Sequence, residues 1–142
     1  DHYLAGRQRH QQGMLSEAIA EYDEAIRLNP ESVLAFTRRG DAFHALGDLG
    51  QAWRDYDESI GLRANLVFLI GHPEYLSHEQ AVAEAYSGRA MVHTERGDDL
   101  SAQRDLARAI EMGVDASRTR EAIEGLKTQR CITQAKQVDS SC

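Results

Sequence analysis

The chain has 142 residues, of which 42% are hydrophobic and 27% charged, and its formal net charge is -7. This length and composition are typical of a single soluble globular domain. The acidic balance and the lack of a long basic block argue against a nucleic-acid partner, and no apolar run approaches the roughly 18 residues that a membrane span requires.

A short series of residues recurs along the chain. The segment from Ala18 to Leu28 returns as Ala52 to Leu62, displaced by 34 residues, and again as Ala102 to Met112, displaced by 50. The third copy therefore follows an insertion. Few prolines, abundant Ala, Glu, Arg and Gln, and no sustained two-residue alternation predict an all-α fold.

Each copy is predicted to form two helices joined at a glycine. Gly13, Gly47 and Gly97 each lie five residues before the recurring alanine, and glycine favours the left-handed backbone just past a helix end. The recurring alanines lie on one helix stripe, so we expect them where helices touch. The predicted first helices cover about 2–12, 33–46 and 78–96, and the second helices about 16–28, 49–62 and 100–112.

The insertion covers about residues 65–80. Ser77 and Gln80 fit a capping box at the start of an unusually long helix. Before it, the apolar segment 67–70 continues the preceding helix or runs extended beside it. We expect this segment to be mostly buried, either within the chain or in a dimer, because large bare apolar patches are avoided in monomers.

The C-terminal part is predicted to form a seventh helix that covers the end of the array. Asp115 or Ser117 caps it, and Ala122, Ile123 and Leu126 share one face, as a terminal element of a repeat array requires. From Cys131 onward no pattern persists. The predicted organisation is one helical domain over 1–130, with repeats at about 1–32, 33–64 and 81–114, an insertion at 65–80, a capping helix at 115–130 and a flexible tail at 131–142.

The second copy carries the most complete pattern, with "FTRRGDAF" from Phe36 to Phe43, then Gly47, then "AWRDY" from Ala52 to Tyr56. With its 34-residue period, this pattern resembles the tetratricopeptide repeat (TPR). The resemblance covers about residues 1–114. It implies a right-handed α-α superhelix of about seven helices, whose first helices line a concave groove that binds peptides or protein segments.

The groove positions of the resembled family map onto residues of all three first helices. Arg7 and Arg38 come from the first two copies, and Glu84 and Glu95 from the third, so the two halves are expected to differ in sign and to orient an extended ligand with its acidic end near the first two copies. Alternatively, the arginines pair with glutamates on neighbouring helices. The groove positions are Tyr3, Arg7, His10, Gln11, Leu34, Thr37, Arg38, Asp41, His44, Glu84, Ser87, Met91, Thr94 and Glu95.

One known ligand of the resembled family is not expected. Some members grip the C-terminal carboxylate of heat-shock chaperones with Lys, Asn, Asn, Lys and Arg. The matching positions here are Tyr3, Arg7, Arg38, Glu84 and Gly88. They depart from that clamp in residue type at every place, and Glu84 reverses a charge.

No catalytic motif is present in the sequence: there is no Gly-x-Ser-x-Gly elbow, phosphate loop or Cys-x-x-Cys pair. We therefore expect no enzyme, no catalytic residue and no cofactor. His10 and His44 occupy the same place in consecutive copies, but two ligands without a third make a poor metal site, so none is predicted. Arg39 and Arg89 are expected to lay their stems along neighbouring helices.

The sequence thus predicts a non-catalytic protein-protein interaction scaffold for a protein or peptide partner that it does not identify. One alternative is structural self-assembly, as a homo-oligomer joined through the 65–80 insertion. Another is a regulatory domain of a larger protein. Because the chain begins at Asp1 without Met and enters the repeat pattern at once, we expect a fragment or a processed product.

Overall fold

The computed structural model describes residues 1–138, which form a helical solenoid without a β-strand in that part of the chain. Helices pack in pairs, and each pair packs on the next. A 3-10 segment, Leu62–Leu69, separates the second pair from the third. The α-helices are α1 (His2–Gln11), α2 (Leu15–Leu28), α3 (Val33–Ala45), α4 (Leu49–Gly61), α5 (Tyr75–Glu95), α6 (Asp99–Glu111) and α7 (Ser117–Val138).

Glycine ends the first helix of every pair, as predicted. Gly13, Gly47 and Gly97 have φ of 78°, 83° and 83°, which is the left-handed region that residues with a Cβ avoid. The following helix then starts on an aspartate cap in two of the pairs. The carboxylates of Asp48 and Asp98 accept from the backbone N–H three residues later, satisfying an otherwise unpaired donor.

The recurring alanines lie where helices touch, which confirms the prediction. Ala18 and Ala52 are fully buried and Ala102 is 1% exposed. Beside the first two alanines, Tyr22 and Tyr56 fill the junctions between consecutive pairs. We call the contact between the first and second pairs the first junction, and that between the second and third pairs the second junction.

The prediction for the apolar segment of the insertion is wrong within the chain. Val67, Phe68 and Ile70 are 56%, 90% and 65% exposed. The segment forms a 3-10 helix, in which side chains three apart stack on one face. Leu66 and Leu69 therefore turn to the core, where they pack near Val33 and Val82, and the residues between them face outward. Burial in a dimer stays a prediction.

The start of α5 also differs from the prediction. The helix begins at Tyr75 rather than about residue 78, and Ser77 donates to the Glu74 carbonyl instead of capping a helix. Pro73 precedes the cap residue Glu74, a place where the missing N–H of proline interrupts no helical hydrogen bond, so the helix can start directly after it. Helix α5 has 21 residues against 13 in α3, so the insertion lengthens the first helix of the third pair by about two turns.

The boundary predicted for the tail is wrong as well. Helix α7 continues past Cys131 to Val138, because no glycine or proline lies between these two residues and the middle of the helix is anchored. Arg130 donates to the Thr94 carbonyl at 2.9 Å and to Asp99 at 2.7 Å, while Ile123 is buried. The rest of the predicted tail, 139–142, lies outside the described residues.

Candidate functional site

A cavity of about 710 Å³ opens between the N-terminal parts of α1, α3 and α5. Two predicted groove residues, Tyr3 and Leu34, line it together with Leu28 at the end of α2. The beginning of α5, which the insertion adds, forms another wall of this cavity. The sequence pattern did not indicate this wall, whose residues are Glu74, Ser77 and His78.

Three predicted groove residues are not available to a partner. Thr37 is fully buried, Thr94 is 1% exposed and Ser87 is 8% exposed. Thr37 Oγ1 lies 2.7 Å from Ser59 Oγ and 3.2 Å from the Ala81 carbonyl oxygen, so it joins three helices in the core. Their assignment to the groove surface is corrected, because α3 and α5 pack too closely to leave these positions open.

The charged groove residues of α3 pair with those of α5. Arg38 Nη2 lies 2.6 Å from Glu84 Oε2, and Arg38 Nη1 lies 3.1 Å from Asp41 Oδ2. His44 Nε2 lies 2.8 Å from Glu95 Oε1. The alternative of pairing between neighbouring helices is therefore confirmed for Arg38, and the expected separation into a basic and an acidic half is wrong at these positions.

Burial lowers the pKa of Arg38, but the carboxylates of Glu84 and Asp41 more than offset this effect, so its pKa is raised overall. Arg38 is therefore a cation held between two carboxylates. A ligand carboxylate would have to compete with both of them for this guanidinium.

Small residues explain why α3 and α5 approach so closely. Tyr56 is buried between Gly40 of α3 and Gly88 of α5, and a Cβ on Gly88 would lie only 2.4 Å from Tyr56 Cζ. The residue equivalent to Gly88 in the preceding repeat is Arg38. Among the described residues no hydrogen bond or ion pair links α1 to α3, whereas several link α3 to α5.

The two junction tyrosines differ in the hydrogen bonding of their hydroxyl groups. Tyr56 donates to Asp41 Oδ1 at 2.7 Å. The hydroxyl of Tyr22 is buried and has no hydrogen-bond partner within residues 1–138, because the position equivalent to Asp41 is Arg7. Burial raises the pKa of Tyr22 to about 12, so this group stays protonated and needs an acceptor.

Two groove residues of α1 lie beside the Tyr22 ring. The Tyr3 and His10 rings lie 6.3 Å and 6.5 Å from the Tyr22 ring, measured between centroids. Arg7 is exposed, its guanidinium lies 5.9 Å from the Tyr3 ring centroid, and it makes no ion pair with any described residue. Gln11 is exposed, and Met91 of α5 is half-buried.

A family model described as "TPR repeat" matches residues 6–47. Together with the paired helices of the solenoid, this match supports a TPR-type repeat protein. The match covers α2 and α3 and most of α1, which is the part of the chain where the first junction forms. A search of curated proteins gave no match.

Both junctions of this TPR array contain an arginine bridge. Arg39 donates two hydrogen bonds to Asp55, at 2.8 Å and 2.7 Å, and a third to Asp23 at 2.7 Å. Arg89 does the same with Asp105 and Asp57. The arginine stems were expected to lie along neighbouring helices, but the bridges were missed. The sequence did contain a signal for these bridges. Arg39 and Asp55 both recur 50 residues later, as Arg89 and Asp105.

TPR repeats generally mediate protein-protein interaction, and they are typically non-catalytic scaffolds. Within the described residues no helix is long and apolar enough to cross a membrane. The same part of the chain contains no group of three or more His, Cys, Asp and Glu side chains that could hold a metal ion.

Proposed function

We propose that this TPR protein is a non-catalytic scaffold that binds a peptide or a segment of a partner protein in its concave groove. The cavity between α1, α3 and α5 is the observation that carries the proposal. Its volume of about 710 Å³ falls within the range of about 300–1,000 Å³ that is typical of binding clefts. The bound segment enters at this open end of the groove.

The lining of the cavity suits a peptide better than a small polar molecule. Tyr3, Leu28 and Leu34 supply an apolar floor, and Asn29 and Ser77 supply polar groups around it. An apolar side chain of the peptide rests on the floor, while polar groups around it hydrogen-bond to the peptide backbone. This combination of an apolar pocket with a few placed polar groups is the usual basis of ligand selectivity.

Two groups of the predicted groove residues have different roles in this proposal. Tyr3 and Leu34 line the cavity at the open end, and Arg7, His10 and Gln11 follow along α1; in this proposal all five contact the ligand. The residues of the closed part, between α3 and α5, hold the helices together and contact a ligand only along their exposed edges. These are Arg38, Asp41, His44, Glu84, Met91 and Glu95.

Peptides selected by display against the protein, and then titrated calorimetrically, test the proposal. Ser77→Trp fills the cavity from an exposed position and should weaken the selected peptides by more than about tenfold, which corresponds to 1.4 kcal/mol. Glu58→Trp places the same bulk on the exposed face of α4 and should leave affinity within about twofold. Equal affinities of the two variants would contradict binding in the cavity.

A second candidate function is self-assembly, which the exposed apolar residues of the insertion favour. Val67, Phe68, Ile70 and Leu76 are all more than half exposed, and patches of this kind mark association surfaces. Sedimentation over a concentration series distinguishes the candidates. A mass that rises with concentration in wild type and not in Phe68→Asp supports assembly through the insertion, and a constant monomer mass contradicts it.

A further inference from the structure

The contact between the third pair and α7, which we call the third junction, contains a crevice of about 160 Å³ between α6 and α7. Ala102, Leu106 and Ile123 supply its apolar lining. Polar and charged side chains complete the lining: Asp99, Gln103, Arg120, Glu124 and Lys127. A cavity of about 150 Å³ with an apolar lining holds one benzene molecule, so this crevice has room for one aromatic ring.

The repeat pattern explains why space is left here. Helix α7 starts at Ser117, which is 84 residues after Val33, the start of α3. Each crevice residue therefore has a counterpart 84 residues earlier in α2 or α3. The counterpart of Leu106 is Tyr22, which fills the first junction. Three further large side chains are replaced, Ile19 by Gln103, Phe36 by Arg120 and Phe43 by Lys127. The crevice thus has none of the three rings that its counterpart positions hold.

Helix α7 is held in place without closing this crevice. It packs against α5, and Ile123 is 4% exposed. Further along the helix, Arg130 donates to the Thr94 carbonyl at 2.9 Å and to Asp99 at 2.7 Å. These contacts fix the distance between α6 and α7, so the crevice is a defined feature of the third junction.

The insertion of the same chain carries an exposed ring of matching size. Phe68 is 90% exposed, which is the highest value among the large hydrophobic side chains of residues 1–138. The backbone that carries it is fixed, because Leu66 and Leu69 on either side pack in the core. A ring presented from a fixed backbone loses less conformational freedom on binding than one on a flexible loop.

We propose that Phe68 of one copy inserts into the third-junction crevice of a second copy. The inference rests on the second candidate function, self-assembly through the insertion, and adds the surface that receives it. Charge favours this pairing, because α7 carries five Arg and Lys residues against two Glu on a chain whose net charge is -7. Such a basic helix attracts the acidic remainder of another copy. Ring and crevice lie on different surfaces, so the contact is heterologous and one copy can contact two others.

Sedimentation velocity over a concentration series tests the pairing. The mass of wild type should rise beyond that of a dimer. Phe68→Asp removes the ring, and Leu106→Tyr fills the crevice with the ring that the first two repeats have. Each change should weaken association by about tenfold or more. Ile110→Tyr is the matched control, because Ile110 is 42% exposed on α6 outside the crevice, and this variant should associate like wild type.

A mixture of the two variants tests which surfaces meet. Phe68→Asp keeps the crevice and Leu106→Tyr keeps the ring, so each alone should remain a monomer while an equimolar mixture forms a one-to-one dimer that grows no further. A symmetric contact between two insertions would instead leave Leu106→Tyr associating like wild type. That result, or a mixture that stays monomeric, would overturn the inference.

Phenol provides a readout on wild type that needs no variant to fold. In the ¹⁵N-labelled protein it should shift the amides of residues 99–106 and 120–127 in NMR spectra, and it should lower the sedimenting mass by competing with Phe68. Circular dichroism checks that Leu106→Tyr stays helical, and its amides should not respond to phenol. If phenol shifts these amides in wild type without lowering the mass, the crevice accepts a ring but not that of a second copy, and the inference fails.

The outcomes separate this inference from both candidate functions. A wild-type mass that stays monomeric at all concentrations overturns the inference together with self-assembly, while peptide binding in the groove is decided independently by Ser77→Trp. Association that is lost in Phe68→Asp but kept in Leu106→Tyr overturns the inference alone and leaves assembly through the insertion standing.

Discussion

The first and second junctions are built from the same template but differ in how closely the first helices of the repeats approach. In the second junction, Tyr56 packs against Gly88, and an Arg38–Glu84 ion pair and a His44–Glu95 hydrogen bond join α3 to α5. In the first junction, Tyr22 meets a repeat that has Arg38 at the position of Gly88. There α1 and α3 share no hydrogen bond or ion pair among the described residues.

The difference shows how one repeat pattern can produce both a closely packed junction and an open one. Exchange of a glycine for an arginine separates the first helices, and exchange of Asp41 for Arg7 leaves a hydroxyl without an acceptor. The rigid junction keeps α3 and α5 in place, whereas the open junction leaves space and unpaired groups for the ligand that we propose.

The largest effect concerns the feature that both junctions share. Arg39→Ala and Arg89→Ala each leave a buried aspartate, Asp55 or Asp105, without its bidentate partner. Breaking such a pair should lower the free energy of unfolding by about 3–5 kcal/mol in both junctions alike. Urea denaturation measures the loss, with Arg54→Ala as the exposed control. A loss below about 1 kcal/mol in either variant would show that the bridges do not hold the repeats together.

The next prediction concerns the close approach that is specific to the second junction. Gly88→Ala places a Cβ 2.4 Å from the buried Tyr56 ring, which should cost about 1–3 kcal/mol of stability through overpacking. Gly125→Ala is the matched control, because nothing lies within 4 Å of its added Cβ in α7. It should stabilise by about 0.5–1 kcal/mol through helix propensity. If both changes stabilise, the second junction is looser than described.

A smaller effect distinguishes the two tyrosines. Tyr56→Phe removes a donor from the carboxylate of Asp41 and should lower the free energy of unfolding by about 1–2 kcal/mol. Tyr22→Phe removes a buried hydroxyl that has no partner, so stability should stay unchanged or rise slightly. Differential scanning calorimetry of the pair measures this difference. Equal losses would mean that Tyr22 is hydrogen-bonded in solution, which would close the first junction.

The smallest effect is expected outside both junctions, in the insertion. Phe68 is 90% exposed, so Phe68→Asp should change the unfolding free energy of the monomer by no more than about 0.5 kcal/mol. Leu66→Asp is the contrasting variant, because Leu66 is 5% exposed in the core cluster and a charge there loses its hydration. Thermal melts at low protein concentration should then show a drop for Leu66→Asp alone.

The repeat period predicted most of the fold. Because the pattern is periodic, it placed the helices of all three pairs to within a few residues and put Ala18, Ala52 and Ala102 at helix contacts. It could not predict the start of α5 or the exposure of Phe68, since the insertion has no second copy for comparison. The face of a 3-10 segment that turns to the core depends on the helices beneath it.

The site was less accessible to prediction than the fold. Family positions located the three helices that carry the groove, but they could not show that Thr37 is buried or that Arg38 is bound by Glu84. Those facts depend on the spacing between α3 and α5, which is determined by Gly88, a residue distant in sequence from both Thr37 and Arg38. The family positions did not predict the unpaired hydroxyl of Tyr22 either, because it results from the presence of Arg7 at the position that Asp41 occupies in the next repeat.

The most direct test of the open first junction as the interaction surface is an NMR footprint of a peptide selected by display. At 15.8 kDa, the protein is small enough for amide shifts to be assigned along the whole chain. The account predicts that the peptide shifts amides in α1, at the start of α3 and at the start of α5, and leaves α4 and α6 unchanged. Shifts confined to α4 and α6, or to the 3-10 segment, would contradict it.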